Sequence, residues 1–163
     1  MRKISFPPIV NSDSRILILG TMPGEKSLHS KQYYANKSNQ FWRIISFITE
    51  EDILSRDYNS KISLLLKHKI AIWDVLMHCQ REGSLDINIS DEAPNDFTSF
   101  FYKYPNIIAV YFNGASAENM FAKYKLRKTG LAYELLPSTS SMNTSMTCNE
   151  KAEYWKERIR FYL

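Results

Sequence analysis

The feature that most constrains the fold is a set of four short, apolar, β-branched runs, each bounded by turn-forming residues. They are Arg15 to Gly20 (RILILG), Lys69 to Val75 (KIAIWDV), Ile107 to Asn113 (IIAVYFN) and Leu131 to Leu136 (LAYELL). Runs of this length and composition read as strands, and their near-continuous apolarity predicts cover on both faces, as in a parallel sheet. Helical spacing separates them. Phe41, Ile44, Ile45 and Ile48 share one helical face, as do Phe97, Phe100, Phe101 and Tyr104, and again Ala117, Met120, Phe121 and Tyr124. Ile62, Leu65 and Leu66 mark a shorter helix. Thr147-Cys-Asn-Glu150 is a capping box that opens a last helix with Ala152, Trp155 and Ile159 turned inward. This alternation predicts an α/β protein: a three-layer α/β/α sandwich around a central, mainly parallel four-stranded sheet, forming one domain over residues 1–163.

In such folds ligands bind beyond the carboxyl ends of the strands. Attention therefore falls on Gly20 to Asn39, Trp73 to Asp86 and Pro137 to Cys148. The first opens with Gly20-Thr-Met-Pro-Gly24-Glu-Lys26, which is not a nucleotide-binding P-loop. Its glycines stand one residue too close, Glu25 precedes Lys26, and Pro23 removes a backbone donor. A plain strand-ending turn does not account for the aromatic, amide-rich stretch that follows, Gln32 to Trp42. Tyr33 and Tyr34 are adjacent, so they diverge, and one can offer a platform to a flat ring.

Charge adds little: a net +4 on 163 residues mildly favours phosphate-bearing partners. Two distant cysteines, Cys79 and Cys148, read as free thiols and cannot build a metal cluster unaided. His29, His68 and His78 lack metal-ligand spacing, and Lys123, Lys125, Arg127 and Lys128 read as a solvated helix end. The amino-terminal residues lack the apolar core of a signal peptide and no stretch is long enough to cross a bilayer, so a cytoplasmic protein is expected.

The run G-T-M-P-G at 20–24, followed by Y-Y-A-x-x-x-N-x-F-W at 33–42, resembles the first motif of the uracil-DNA glycosylase superfamily. Ile72-Trp-Asp-Val-Leu76, Arg81-Glu-Gly-Ser-Leu-Asp86, Phe112-Asn-Gly114 and Leu136-Pro-Ser-Thr-Ser140 extend the likeness in order along most of the chain. Two departures narrow it. Met22 stands where mismatch-specific members carry an asparagine, and Leu136 stands where uracil enzymes carry the histidine that steadies the departing base. Both favour the branch that excises hypoxanthine. A third departure, Ser141-Met142-Asn143 in place of Pro-Ala-Asn, affects the DNA-gripping loop rather than the chemistry.

The resemblance implies a monomeric, monofunctional glycosylase that needs no metal or cofactor and acts on DNA containing a deaminated base. Asn39 is implied as the catalytic residue, although an asparagine just before Phe41 is also a good helix cap. Gly20, Met22, Tyr34, Asp74 and Asn113 are expected around the base. For three of them a plainer role stays open: core packing for Tyr34, a cap for Asp74, a turn for Asn113. Ser138, Thr139, Ser140, Met142 and Asn143 are expected to meet DNA, with Met142 as an apolar wedge. The alternatives are a uracil or G·U mismatch glycosylase and a non-catalytic DNA- or nucleotide-binding module on the same fold.

Overall fold

A computed structural model describes residues 1–163. Strands β1 (Arg2–Ile4) and β2 (Ile16–Gly20) precede helices α1 (Glu25–Ser30), α2 (Phe41–Thr49) and α3 (Tyr58–Lys67). Then come β3 (Ile70–Asp74), β4 (Leu76–Gln80), a 3-10 turn (Asp86–Asn88), β5 (Ser90–Pro94) and α4 (Phe97–Lys103). The chain closes with β6 (Ala109–Asn113), α5 (Ala115–Lys123), β7 (Ala132–Leu136) and α6 (Cys148–Ile159).

The four apolar runs form one all-parallel sheet in the order β3-β2-β6-β7. Alternate residues feed two cores. Ile16 and Ile18 of β2 pack under α2, α3 and α6 with Phe41, Ile44, Leu65 and Trp155, whereas Leu17 and Leu19 pack under α4 and α5 with Phe97, Phe101 and Phe121. This is the expected α/β/α sandwich, with strand ends displaced by one or two residues. The outer edge of β3 is partly closed by Ile9, which exchanges backbone hydrogen bonds with Ile72. The capping box is present: the Thr147 hydroxyl accepts from Glu150 N–H and the Glu150 carboxylate accepts from Thr147 N–H. In α3 the buried pair is Leu64 and Leu65, so the inward face is rotated one residue from the expected one. No helix is long and apolar enough to cross a membrane.

A second, antiparallel sheet, β1-β4-β5, was not foreseen. Its strands are short, β1 and β5 are largely polar, and β4 begins two residues after β3 ends. It converts the expected Trp73–Asp86 loop into a strand plus a tight return. That return, Arg81 to Asp86, is thereby held over the carboxyl edge of the main sheet.

Candidate active site

The main sheet presents its carboxyl edge as a row. Gly20 ends β2 in register with Asp74 at the end of β3, and Asn113 ends β6 in register with Leu136 at the end of β7. Beyond the row lies a cavity of about 330 Å3, within the usual range for small-ligand sites. Gly20, Met22, Tyr34, Asn39, Asp74, Asn113, Ser138, Thr139 and Ser140 all line it, so residues separated by up to 120 positions converge there.

The two tyrosines do diverge. Tyr33 is buried, and its hydroxyl donates to the Pro7 carbonyl at 2.9 Å. Tyr34 turns the other way through a left-handed backbone conformation (φ 54°), which costs a residue with a side chain roughly 1–2 kcal/mol. Its ring stacks on Phe41 at 3.9 Å between centroids with 15° between planes, and it lines the cavity. Stacking of this kind fixes the ring without enclosing it.

Asn39 is held by its amide oxygen. Its Oδ1 accepts from the Phe41 N–H (2.9 Å) and from the Thr139 hydroxyl (2.8 Å). The backbone donor settles which end of the amide is oxygen. The Asn39 side chain thus caps the first N–H of α2 from one residue before the N-cap position, Gln40, and this leaves Nδ2 without a protein partner on the cavity side. With its oxygen occupied, Asn39 is a hydrogen-bond donor to whatever enters.

Thr139 requires correction. Thr139 was expected on the DNA-facing surface but is wholly buried, and its hydroxyl donates to Asn39 and accepts from Asn113 Nδ2 at 3.0 Å. Its N–H donates to Asn113 Oδ1 (2.9 Å), and its carbonyl accepts from Gln40 N–H (2.9 Å). Asn113 spends its remaining donor on the Tyr34 hydroxyl at 3.2 Å, so it orients Thr139 and Tyr34 from within the cavity lining. Together they form a relay, Asn113 to Thr139 to Asn39, that aims one amide. Thr139→Val keeps the shape and removes the relay. Its expected effect is a roughly tenfold lower turnover number with unchanged substrate affinity, through misaimed Asn39, and a stability loss of about 1–3 kcal/mol. Single-turnover kinetics and thermal melting measure both, and an unchanged turnover number would mean that Asn39 is aimed without Thr139.

Asp74 is buried (4% exposed) at the floor of the cavity. Its Oδ2 accepts from the Ser5 hydroxyl at 3.2 Å, and its backbone carbonyl accepts from Asn95 Nδ2 at 2.8 Å. Its Oδ1 lies over Gly20: a Cβ built there would stand 2.6 Å from that oxygen and 3.3 Å from the Tyr34 hydroxyl. Burial pushes the Asp74 carboxyl up to about 7, and the negative charge of Asp86 pushes the same way. Asp74 caps no helix. Met22 is buried and lines the cavity.

Two basic residues outside the cavity lining, Arg81 and Lys151, brace the loops that form its walls. The Arg81 side chain is buried and donates to the carbonyls of Pro23 and Gly83 (3.0 Å for the latter) and to Asp86 Oδ1 (3.4 Å). It thereby ties the 20–24 turn to the 81–86 return. Lys151, fully buried on α6, donates to Gln40 Oε1 (2.9 Å) and to the carbonyls of Ser140 (3.3 Å) and Asn143 (2.8 Å). It ties the Ser138–Asn143 loop to the start of α2. A signal was available for Lys151: it lies one helical turn before Trp155, on the inward face. Of the loop residues, Met142 is 73% exposed, Ser141 is exposed, Ser138 and Ser140 are partly exposed in the cavity lining, and Asn143 is partly exposed beside it. Of the basic residues after Phe121, Lys123 pairs with Glu92, and Arg127 pairs with Glu118 and stacks on Tyr133.

Residues 7–158 match the family model described as uracil DNA glycosylase superfamily. The chain is 35% identical over 162 residues to a protein of Methanosarcina barkeri named hypoxanthine DNA glycosylase, covering 98% of this chain and 99% of that one. It is 35% identical over 156 residues to a protein of the same name from Methanosarcina acetivorans (94% and 96% covered). Among solved structures, a solution NMR structure from M. acetivorans, provisionally described as a uracil DNA glycosylase, superposes with a TM-score of 0.86 at 34% identity, covering 99% of each chain.

Proposed function

Since the chain belongs to the uracil-DNA glycosylase superfamily, we propose that it is a monofunctional DNA glycosylase that hydrolyses the N-glycosidic bond of hypoxanthine in DNA. The observation that carries this reading is the Asn39 amide, locked by its oxygen with its donor end left for a ligand. A flipped base enters a polar cavity of suitable size, against the Tyr34 ring that Phe41 backs. Hypoxanthine offers O6 and N7 as acceptors, and a fixed N–H donor suits either. The missing histidine at Leu136 supports a leaving group other than the uracil anion. Asn39 cannot take a proton, so its contribution is positioning and charge stabilisation. No lysine occupies a matched motif position to form a Schiff base; Lys26, at the rim, donates to Asn36 Oδ1 at 3.4 Å.

Duplexes with one end-labelled strand carrying hypoxanthine, uracil or xanthine, incubated in EDTA buffer and then cleaved with alkali, rank the substrates. Hypoxanthine is expected to be released fastest. Faster release of uracil would move the protein to the uracil or mismatch class, and no release from any duplex would leave a binding module.

Met142 projects from the loop that Lys151 anchors, as a wedge for the gap left by a flipped base requires. Met142→Ala is expected to slow release from duplex by roughly tenfold, the value of burying one methionine side chain, and to leave single-stranded DNA unaffected. Equal losses on the two substrates would deny it that role.

A further inference from the structure

Asn39 accounts for a hydrogen bond to the base but not for the proton that a purine needs when it leaves. Uracil departs as a stabilised anion, whereas a purine departs far more readily once its imidazole ring is protonated. The group that supplies the proton must be an acid inside the cavity, shielded from water, with an oxygen not already committed to the protein.

We propose that Asp74 is the general acid of the reaction, delivering a proton to N7 of the departing purine; the proposal rests on the glycosylase reading above. Three features of the site support it. Asp74 Oδ2 is engaged by Ser5, whereas Oδ1 has no protein donor and lines the cavity floor. Gly20 has no side chain to stand between them: a Cβ there would fall 2.6 Å from Oδ1, on the side where Tyr34 closes the wall. Of the two other carboxylates of the lining, Asp86 is occupied by Arg81, Ser116 and Thr21, and Glu25 is paired with Lys3.

The groups facing Asp74 set its proton affinity. Ser5, from the segment after β1, donates to it; Tyr33 and Tyr34 flank it from the loop before α2; Arg81 and Asp86 act on it with opposite sign from the return after β4. Glu25 and Lys26 line the outer cavity. Desolvation dominates and brings the carboxyl to about 7, so much of it is protonated at neutral pH.

The step balances. The Oδ1 proton moves to N7 as the C1′–N9 bond breaks, and that electron pair stays on the base, which leaves as neutral hypoxanthine. Asp74 is left as a carboxylate and the sugar as an oxocarbenium ion. Water adds to C1′, and its released proton restores the carboxylic acid.

The test is single-turnover release from deoxyinosine duplex between pH 5 and 9, for wild type and Asp74→Asn. The acid form is the active one, so the wild-type rate should be flat below pH 7 and fall tenfold per unit above it. Asp74→Asn should be slower by about 100-fold or more at pH 6 and lack that alkaline limb. A carboxyl whose proton affinity is raised by folding stabilises the fold below about pH 4 and loses that contribution as pH rises through 7. The variant removes this loss and should melt no lower than wild type at pH 8, which keeps misfolding from mimicking the result. A variant within threefold of wild type, or a slow variant that keeps the alkaline limb, overturns the acid role and leaves the glycosylase reading intact. Wild type that releases no hypoxanthine at any pH overturns both.

Discussion

Asn39→Asp is expected to lower hypoxanthine release by about 100-fold or more, the usual effect of losing one positioned donor, while its melting temperature stays at the wild-type value. The substitution is nearly isosteric and keeps an oxygen where Phe41 N–H and the Thr139 hydroxyl need one. A negative charge at the start of α2 is also compatible with the helix dipole. What changes is the other end of the group, where the Nδ2 donor becomes an acceptor. Asn39 caps and is proposed to donate, and these two jobs use opposite ends of its amide, so this variant separates them. Melting curves and single-turnover rates on the same preparation decide the matter. An Asn39→Asp protein within a few-fold of wild type would leave Asn39 as a cap alone.

Gly20→Ala is expected to have the second largest effect. The added methyl would stand 2.6 Å from Asp74 Oδ1 and 3.3 Å from the Tyr34 hydroxyl, so one of the two must move. Neither is free to move cheaply. Asp74 is buried and tied to Ser5, and Tyr34 is stacked on Phe41 and bonded to Asn113. Gly20 itself is fixed at the end of β2, where its carbonyl accepts from Val75 N–H at 2.8 Å. Overpacking of this kind costs about 1–3 kcal/mol, equivalent to roughly 2–12 °C in melting temperature for a chain of this size. Displacing the cavity floor should also slow release by about 100-fold. Gly24→Ala is the control, because its Cβ would meet only the Ser84 side chain, at 3.3 Å, and most activity should remain. Equal activity of the Gly20 and Gly24 variants would show that close packing of Asp74 against Gly20 is unimportant.

The main sheet was legible in the sequence because three of its four strands, β2, β3 and β6, are buried on both faces, and continuous burial writes itself as continuous apolarity. The last helix was legible because its capping box is a local pattern. The antiparallel sheet was not, since Ser90–Pro94 carries two acids and a proline and β1 is three residues long. Such strands form through pairing partners rather than through their own propensity. The site shows the same division. Gly20, Asp74 and Asn113 could be placed because each ends a recognisable strand. Thr139 could not, because the sequence shows a hydroxyl beside other hydroxyls, and only the fold makes it the joint between Asn113 and Asn39, 100 residues away. Lys151 and Arg81 were harder to place for a similar reason: most of their bonds go to backbone carbonyls, which carry no side-chain identity to read in the sequence.

The central claim, that this cavity releases hypoxanthine from DNA by hydrolysis, is tested most directly by analysing the products of a deoxyinosine-containing oligonucleotide by mass spectrometry. Free hypoxanthine should appear in equimolar amount with an otherwise intact strand bearing an abasic sugar, and none should form with the Asn39→Asp protein. A strand cut beside an inosine that still carries its base, or no free hypoxanthine at all, would contradict it.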